Sequence, residues 1–160
     1  GLEPLELKGS YAGAMGYVQF IPSSFRAYAV DFDGDRVADI WDNPVDAIGS
    51  VANYFLRNGW RAGEPVVTSA DFSESGDPVI FDGELKPTRT VAGLASQGLV
   101  AAQTLDADAL ATAVRFEQPD GFEYWMGLHN FYVITRYNRS NMYAMAVFQL
   151  SQRIATGAQE

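Results

Sequence analysis

Gly9-Ser10-Tyr11-Ala12-Gly13-Ala14-Met15-Gly16-Tyr17-Val18-Gln19-Phe20-Ile21-Pro22-Ser23-Ser24 is the stretch from which the fold is best approached. Three glycines with small neighbours call for close backbone approach, and Pro22 suits the first position of a short helix running to about Val30. Next comes an acidic segment in which Asp31, Asp33, Asp35, Asp39, Asp42 and Asp46 face Arg36 alone, a net −5 in 16 residues. Carboxylates that close repel one another, so the segment must be solvated or neutralised by a cation. Asn43 is a good N-cap, Pro44 follows it and Asp46 falls in the first turn, which predicts a helix stopped at Gly59. Val45, Ile48, Ala52, Phe55 and Leu56 give that helix an apolar repeat close to 3.6 residues.

Farther out, from Arg61, the texture changes. Gly63-Glu64-Pro65, Ser75-Gly76-Asp77-Pro78 and Asp82-Gly83 are turn signals around the short runs 65–68 and 78–81, which read as strands. A helix is expected over Val91–Gln97 with a stop at Gly98, then strands at Val114–Glu117 and Phe122–Met126. Helical spacing returns over Asn130–Tyr137 and again after Ser140 or Asn141, with Tyr143, Val147, Leu150 and Ile154 on one side. These signals predict an α+β chain, mainly helical. Residues 1–62 and 129–160 are expected to pack together around a small α+β insertion, 63–128.

The whole chain of 160 residues has 20 acidic and 11 basic side chains, one histidine and no cysteine. A length of one ordinary domain, 48% apolar residues and 13% aromatics exclude a disordered chain. A net charge of −9 argues against nucleic acid, whose phosphates need a basic face. The lack of cysteine removes thiolate chemistry, disulfides and cysteine-ligated zinc. No apolar stretch approaches the ~20 residues that span a bilayer, and the start shows neither a basic nor an apolar leader region. The abrupt opening Gly1-Leu2-Glu3-Pro4 reads as a piece of something longer.

The Gly9–Ser24 block resembles the signature of the B family of bacterial lytic murein transglycosylases, which have a lysozyme-like fold. Three more stretches are similar to that family in the same order: the acidic loop 31–42, Asn43–Phe55, and Asn130–Met145 with Thr-Arg-Tyr-Asn and Tyr-Ala-Met. The resemblance implies that Ser10, Gln19, Phe20, Tyr54, Tyr137, Asn138 and Tyr143 line a glycan groove. The residue types suit this. Gln19 and Asn138 offer fixed amides with donors and acceptors, Ser10 is a compact hydroxyl among glycines, and each tyrosine joins a flat apolar face to a hydroxyl.

The same resemblance implies non-hydrolytic cleavage of the β-1,4 bond from N-acetylmuramic acid to N-acetylglucosamine in peptidoglycan. One glutamate protonates the bridging oxygen, the substrate's acetamido group stabilises the cation, and the glutamate then deprotonates the C6 hydroxyl to close a 1,6-anhydro ring. Substrate assistance of this kind departs from the usual paired carboxylates. The family's glutamate lies upstream of the Gly9 block, on a helix motif that Glu3 and Glu6 do not match, so no catalytic residue is assigned in this chain. A separate N-terminal polypeptide is one source of it. The substrate implies a periplasmic protein, soluble or lipid-anchored. The alternative is a non-catalytic peptidoglycan-binding module with a structural calcium site.

The acidic loop also carries an EF-hand-like pattern. Asp31, Asp33 and Asp35 stand at loop positions 1, 3 and 5, and position 7 brings the Val37 carbonyl, a hard oxygen set suited to a structural Ca2+. Position 6 is Arg36 where a glycine normally turns the chain, and position 12 is Asp42, shorter in reach than glutamate. By resemblance the closing carboxylate comes from the following helix at Asp46, with Asp39 and Asp42 as fallbacks. A sensor role is disfavoured, because sensors pair two such loops and only one is present.

Overall fold

The computed structural model describes residues 8–157, and the chain divides into two compact units, residues 1–59 and 60–160. Glu3 and Glu6 lie outside the described residues.

In the first unit the glycine-rich stretch folds back on itself through the antiparallel bridges Gly9–Met15 and Met15–Phe20. Gly16 is required twice over. Its φ is +64°, and a Cβ there would stand 2.3 Å from the Ile40 carbonyl oxygen. That close approach lets the Tyr17 N–H donate to the same oxygen at 2.8 Å. Helix α1 spans Pro22–Tyr28 with proline at its start, and α2 spans Pro44–Arg57. The Asn43 side chain accepts from the Val45 and Asp46 N–H groups as the cap, and Gly59 takes φ +94° beyond the end.

The apolar repeat of α2 is not what holds it. Val45, Ile48 and Leu56 are exposed, whereas Asp46, Ala47, Gly49 and Ser50 are buried. A polar stripe at i, i+4 and i+7 grips the preceding backbone instead. Asp46 takes the N–H groups of Phe32 and Asp39, Ser50 Oγ takes that of Val30, and Asn53 Nδ2 donates to the Tyr28 carbonyl. Phe32 covers the gap that Gly49 leaves, where a Cβ would fall 2.5 Å from its ring.

The second unit is built on a five-stranded antiparallel sheet in the order β2-β4-β5-β1-β3. Its strands are β1 (Val67–Phe72), β2 (Arg89–Thr90), β3 (Leu99–Ala101), β4 (Leu110–Gln118) and β5 (Gly121–Gly127). Helix α3 (Val91–Ser96) is capped by Thr90 Oγ1 accepting from Gly93 N–H and ends before Gly98, whose φ is +98°. One core joins sheet and helix: Ile80, Val91, Leu94, Leu99, Met126 and Leu128 are all buried. Residues 78–81 are not a strand. Asp77 accepts the Val79 N–H, Pro78 occupies the first position, and Pro78–Ile80 is a 3-10 turn.

Two helices complete this unit, α4 (His129–Tyr137) and α5 (Asn141–Gly157), with Ser140 Oγ accepting the Tyr143 N–H at the start of the latter. Asn130 is fully buried and clamps a turn far away in sequence. Its Oδ1 accepts the Arg61 N–H at 2.9 Å, and its Nδ2 donates to the carbonyls of Arg61 at 2.8 Å and Glu64 at 3.0 Å.

Candidate functional site

Within the first unit, Ser10 and Gln19 are both exposed on the glycine-rich stretch. Ser10 Oγ accepts the Ala14 N–H at 3.1 Å, which fixes the oxygen and leaves its own O–H as a donor. Gln19 has φ +52°, a left-handed conformation that costs a non-glycine residue about 1–3 kcal/mol and that tends to mark functional sites. Its Nε2 donates to the Gly16 carbonyl at 2.9 Å, so the amide is anchored with its oxygen in a defined direction.

Phe20 sits otherwise than the groove reading expects. At 3% exposure its ring presents no face to a ligand. It lies 6.0 Å from the Tyr54 ring and 6.2 Å from that of Tyr28, while Tyr28 and Tyr54 meet edge to face at 4.8 Å. Its part is therefore to back the half-buried Tyr54.

In the second unit, Tyr137 ends α4, Asn138 follows as its C-cap, and Tyr143 stands in the first turn of α5. The two tyrosine rings are parallel within 2°, their centroids 6.4 Å apart. Burial pushes the Tyr143 hydroxyl above the ordinary phenol range, so it remains a neutral donor. Asn138 is exposed beside the pair.

The acidic loop brings together four of the expected ligands. One carboxylate oxygen each of Asp31, Asp33, Asp35 and Asp46 lie within 4.8 Å of one another. Ligands at 2.3–2.6 Å from a shared centre stand at most about 4.6–5.2 Å apart, so this spread fits Ca2+. The carboxylates are fixed by the loop's own backbone. Asp31 accepts from Gly34 and Arg36, Asp33 from Asp35 and from Asn43 Nδ2, and Asp35 from Val37. Arg36 makes the turn that glycine would normally make, with φ +76°. Asp46 is buried, and the N–H groups of Phe32 first, then Asp39, hold its carboxyl below the ordinary range against the opposing effect of burial. Asp39 and Asp42 are not in the cluster; Asp39 Oδ1 instead accepts from Trp41 and Asp42.

An α+β chain with a glycine-rich, glutamine-presenting turn, an acidic loop and a parallel tyrosine pair defines a class, and the comparisons agree with it. The profile of the transglycosylase SLT domain matches residues 1–152, and the chain belongs to that family. It is 51% identical over 153 residues to the membrane-bound lytic murein transglycosylase B of Escherichia coli K12, covering 96% of this chain and 41% of that protein. Among solved structures, the lytic transglycosylase SltB1 of Pseudomonas aeruginosa superposes with TM-score 0.88 at 53% identity, over 98% of this chain and 51% of that one. The Escherichia coli lytic transglycosylase Slt35, solved in complex with calcium, superposes at 0.87 with 49% identity, over 99% of this chain and 49% of that one. The chain thus spans two fifths to about half the length of these relatives. In each of them the matched region is part of one longer polypeptide, so a separate N-terminal partner finds no support here.

Proposed function

We propose that this chain supplies glycan-contacting groups and a structural calcium site to a lytic transglycosylase. The reaction is non-hydrolytic cleavage of the N-acetylmuramic acid–N-acetylglucosamine bond of peptidoglycan, with 1,6-anhydro ends, in the periplasm. In this reading Ser10, Gln19 and Tyr54 are the glycan-contacting residues of the first unit, and Tyr137, Asn138 and Tyr143 are those of the second. The observation that carries this reading is Gln19, an exposed amide on a residue whose backbone is held at φ +52°.

No glutamate among the described residues takes the acid–base role. Glu64, Glu74, Glu84, Glu117 and Glu123 are all exposed, whereas a general acid at neutral pH needs a desolvated carboxyl. Asp31, Asp33, Asp35, Asp46 and the Val37 carbonyl would hold Ca2+, which supplies charge neutralisation to the loop. Among the described residues no helix is long and apolar enough to cross a membrane.

The test is glycan binding. Gln19→Ala should weaken chitotetraose binding by about 0.5–1.5 kcal/mol for each hydrogen bond lost and leave the melting temperature nearly unmoved. Unchanged affinity in calorimetric titration would overturn the reading. The 160-residue chain itself should bind glycan yet release no 1,6-anhydro product from murein.

A further inference from the structure

Helix α2 has two sides of opposite character, and the apolar one is turned outward. At 3.6 residues per turn, Val45, Ile48, Ala52, Phe55 and Leu56 fall within an arc of about 100°. Asp46, Ser50 and Asn53, which grip the backbone between Tyr28 and Asp39, are centred about 140° away around the axis. Val45, Ile48 and Leu56 are 45%, 70% and 68% exposed, and Ala52 is exposed with them. An uncharged stripe of that width is the pattern of a helix facing a core, whereas a solvated face carries charges. The only charged side chains of α2 are Asp46 and Arg57, and neither falls on the stripe. The segment before the helix is not short of charge, since residues 31–42 hold five aspartates.

The size of the stripe argues for what covers it. Fourteen residues at 1.5 Å each make it about 21 Å long, and at about 10 Å of width it offers roughly 200 Å². A stable complex of separate chains buries about 800 Å² on each partner. A second copy therefore has too little to hold. A lipid surface fits no better, because interfacial helices flank their apolar face with lysine and arginine. Here Arg57 stands alone on the helix, in a chain of net charge −9. A segment of the same polypeptide escapes the size limit, because covalent linkage removes most of the cost of association and sets a high effective concentration. The relatives have room for one. The chain covers 41% of the Escherichia coli enzyme and 51% of SltB1, on which it superposes over 98% of its own length.

We propose that the outward stripe of α2 is an internal seam, covered by an apolar segment of the polypeptide that family members carry outside the region matched here. Asp46, Ser50 and Asn53 lock the other side of α2 to the first unit. A segment seated on the stripe is thereby oriented against the unit that presents Ser10 and Gln19. The proposal rests on the family match and not on the glycan reading, so the two fail separately.

The absence of cysteine makes the test direct. Ile48→Cys is prepared in the 160-residue chain and in a hybrid in which the chain replaces the 153 matched residues of the Escherichia coli enzyme. Maleimide labelling is then followed by peptide mass. Ala111→Cys, at a fully buried position of the sheet, reports unfolding in both. The thiol at position 48 should label freely in the 160-residue chain and at least about a hundredfold more slowly in the hybrid, where it reacts only when the seam opens. Labelling as fast in the hybrid as in the shorter chain overturns the proposal. Fast labelling at both positions of the hybrid counts against it too, since a stripe that fits the remainder folds with it. Protection already present in the 160-residue chain also overturns it: independent of concentration, it assigns the stripe to the second unit, and rising with concentration, to a second copy.

Discussion

The acidic loop of the first unit and the sheet of the second are fixed by opposite means. Between Asp31 and Asp46 nearly every side chain that shapes the backbone is a carboxylate or amide accepting or donating locally, and the helix that closes the loop buries Asp46 and Ser50 while Ile48 and Leu56 face outward. The sheet is held in the ordinary way, by Leu94, Leu99, Met126 and their neighbours removed from water. One region is therefore sensitive to charge and counterion, the other to volume.

Leu94→Ala should expose that contrast most strongly. Leu94 is fully buried, and truncation there should cost about 2–5 kcal/mol. Denaturant titration measures the loss. Hydrogen exchange should quicken in β1, β3 and β4 and stay unchanged over residues 31–46; uniform quickening would mean that the contrast is false.

Calcium is the reciprocal perturbation. A ligand at a hundredfold its dissociation constant adds about 2.7 kcal/mol to the form that binds it. Chelator should lower the melting temperature of wild type and leave Asp33→Ala almost unmoved. Identical wild-type melting with calcium and with chelator would remove the ion from the account.

Acid should act on both regions in the same direction. Asp46 and Asp82 have carboxyls lowered in the folded state, chiefly by backbone N–H donors. The stability they contribute is present above the ordinary value of 3.8 and is lost as pH falls below it toward the folded values. Melting followed from pH 5 to about 2 checks this, and a gain in stability on acidification would contradict it.

The smallest effect expected is at Arg36. Glycine adopts φ +76° freely, so Arg36→Gly should stabilise the calcium-loaded chain by no more than about 0.5–1 kcal/mol, the relief of strain being partly offset by a more flexible unfolded chain. A clear loss of stability would show that the Arg36 side chain contributes more than its backbone costs.

Much of this was legible in the residues. Asn43, Pro44 and Gly59 bound α2 because caps and stops act locally, and alternation placed Asp31, Asp33 and Asp35 together. What escaped depends on partners distant in sequence. Strands β2 and β3 are two and three residues long and exist only through pairing with β4 and β1. The run Val79-Ile80-Phe81 has strand composition, but a proline preceded by a carboxylate starts a turn. Phe20 stands next to the exposed Gln19 and yet points inward, which no local pattern separates from a groove aromatic.

Asn130 has a further consequence. In a chain without cysteine, one amide joins points 66 and 69 residues apart, so everything from Pro65 to His129 departs from and returns to a single spot. The cost of closing a loop grows only with the logarithm of its length. The segment between can therefore lengthen, shorten or be exchanged for another cassette at little cost to the junction, provided that the asparagine and the turn it grips stay in place.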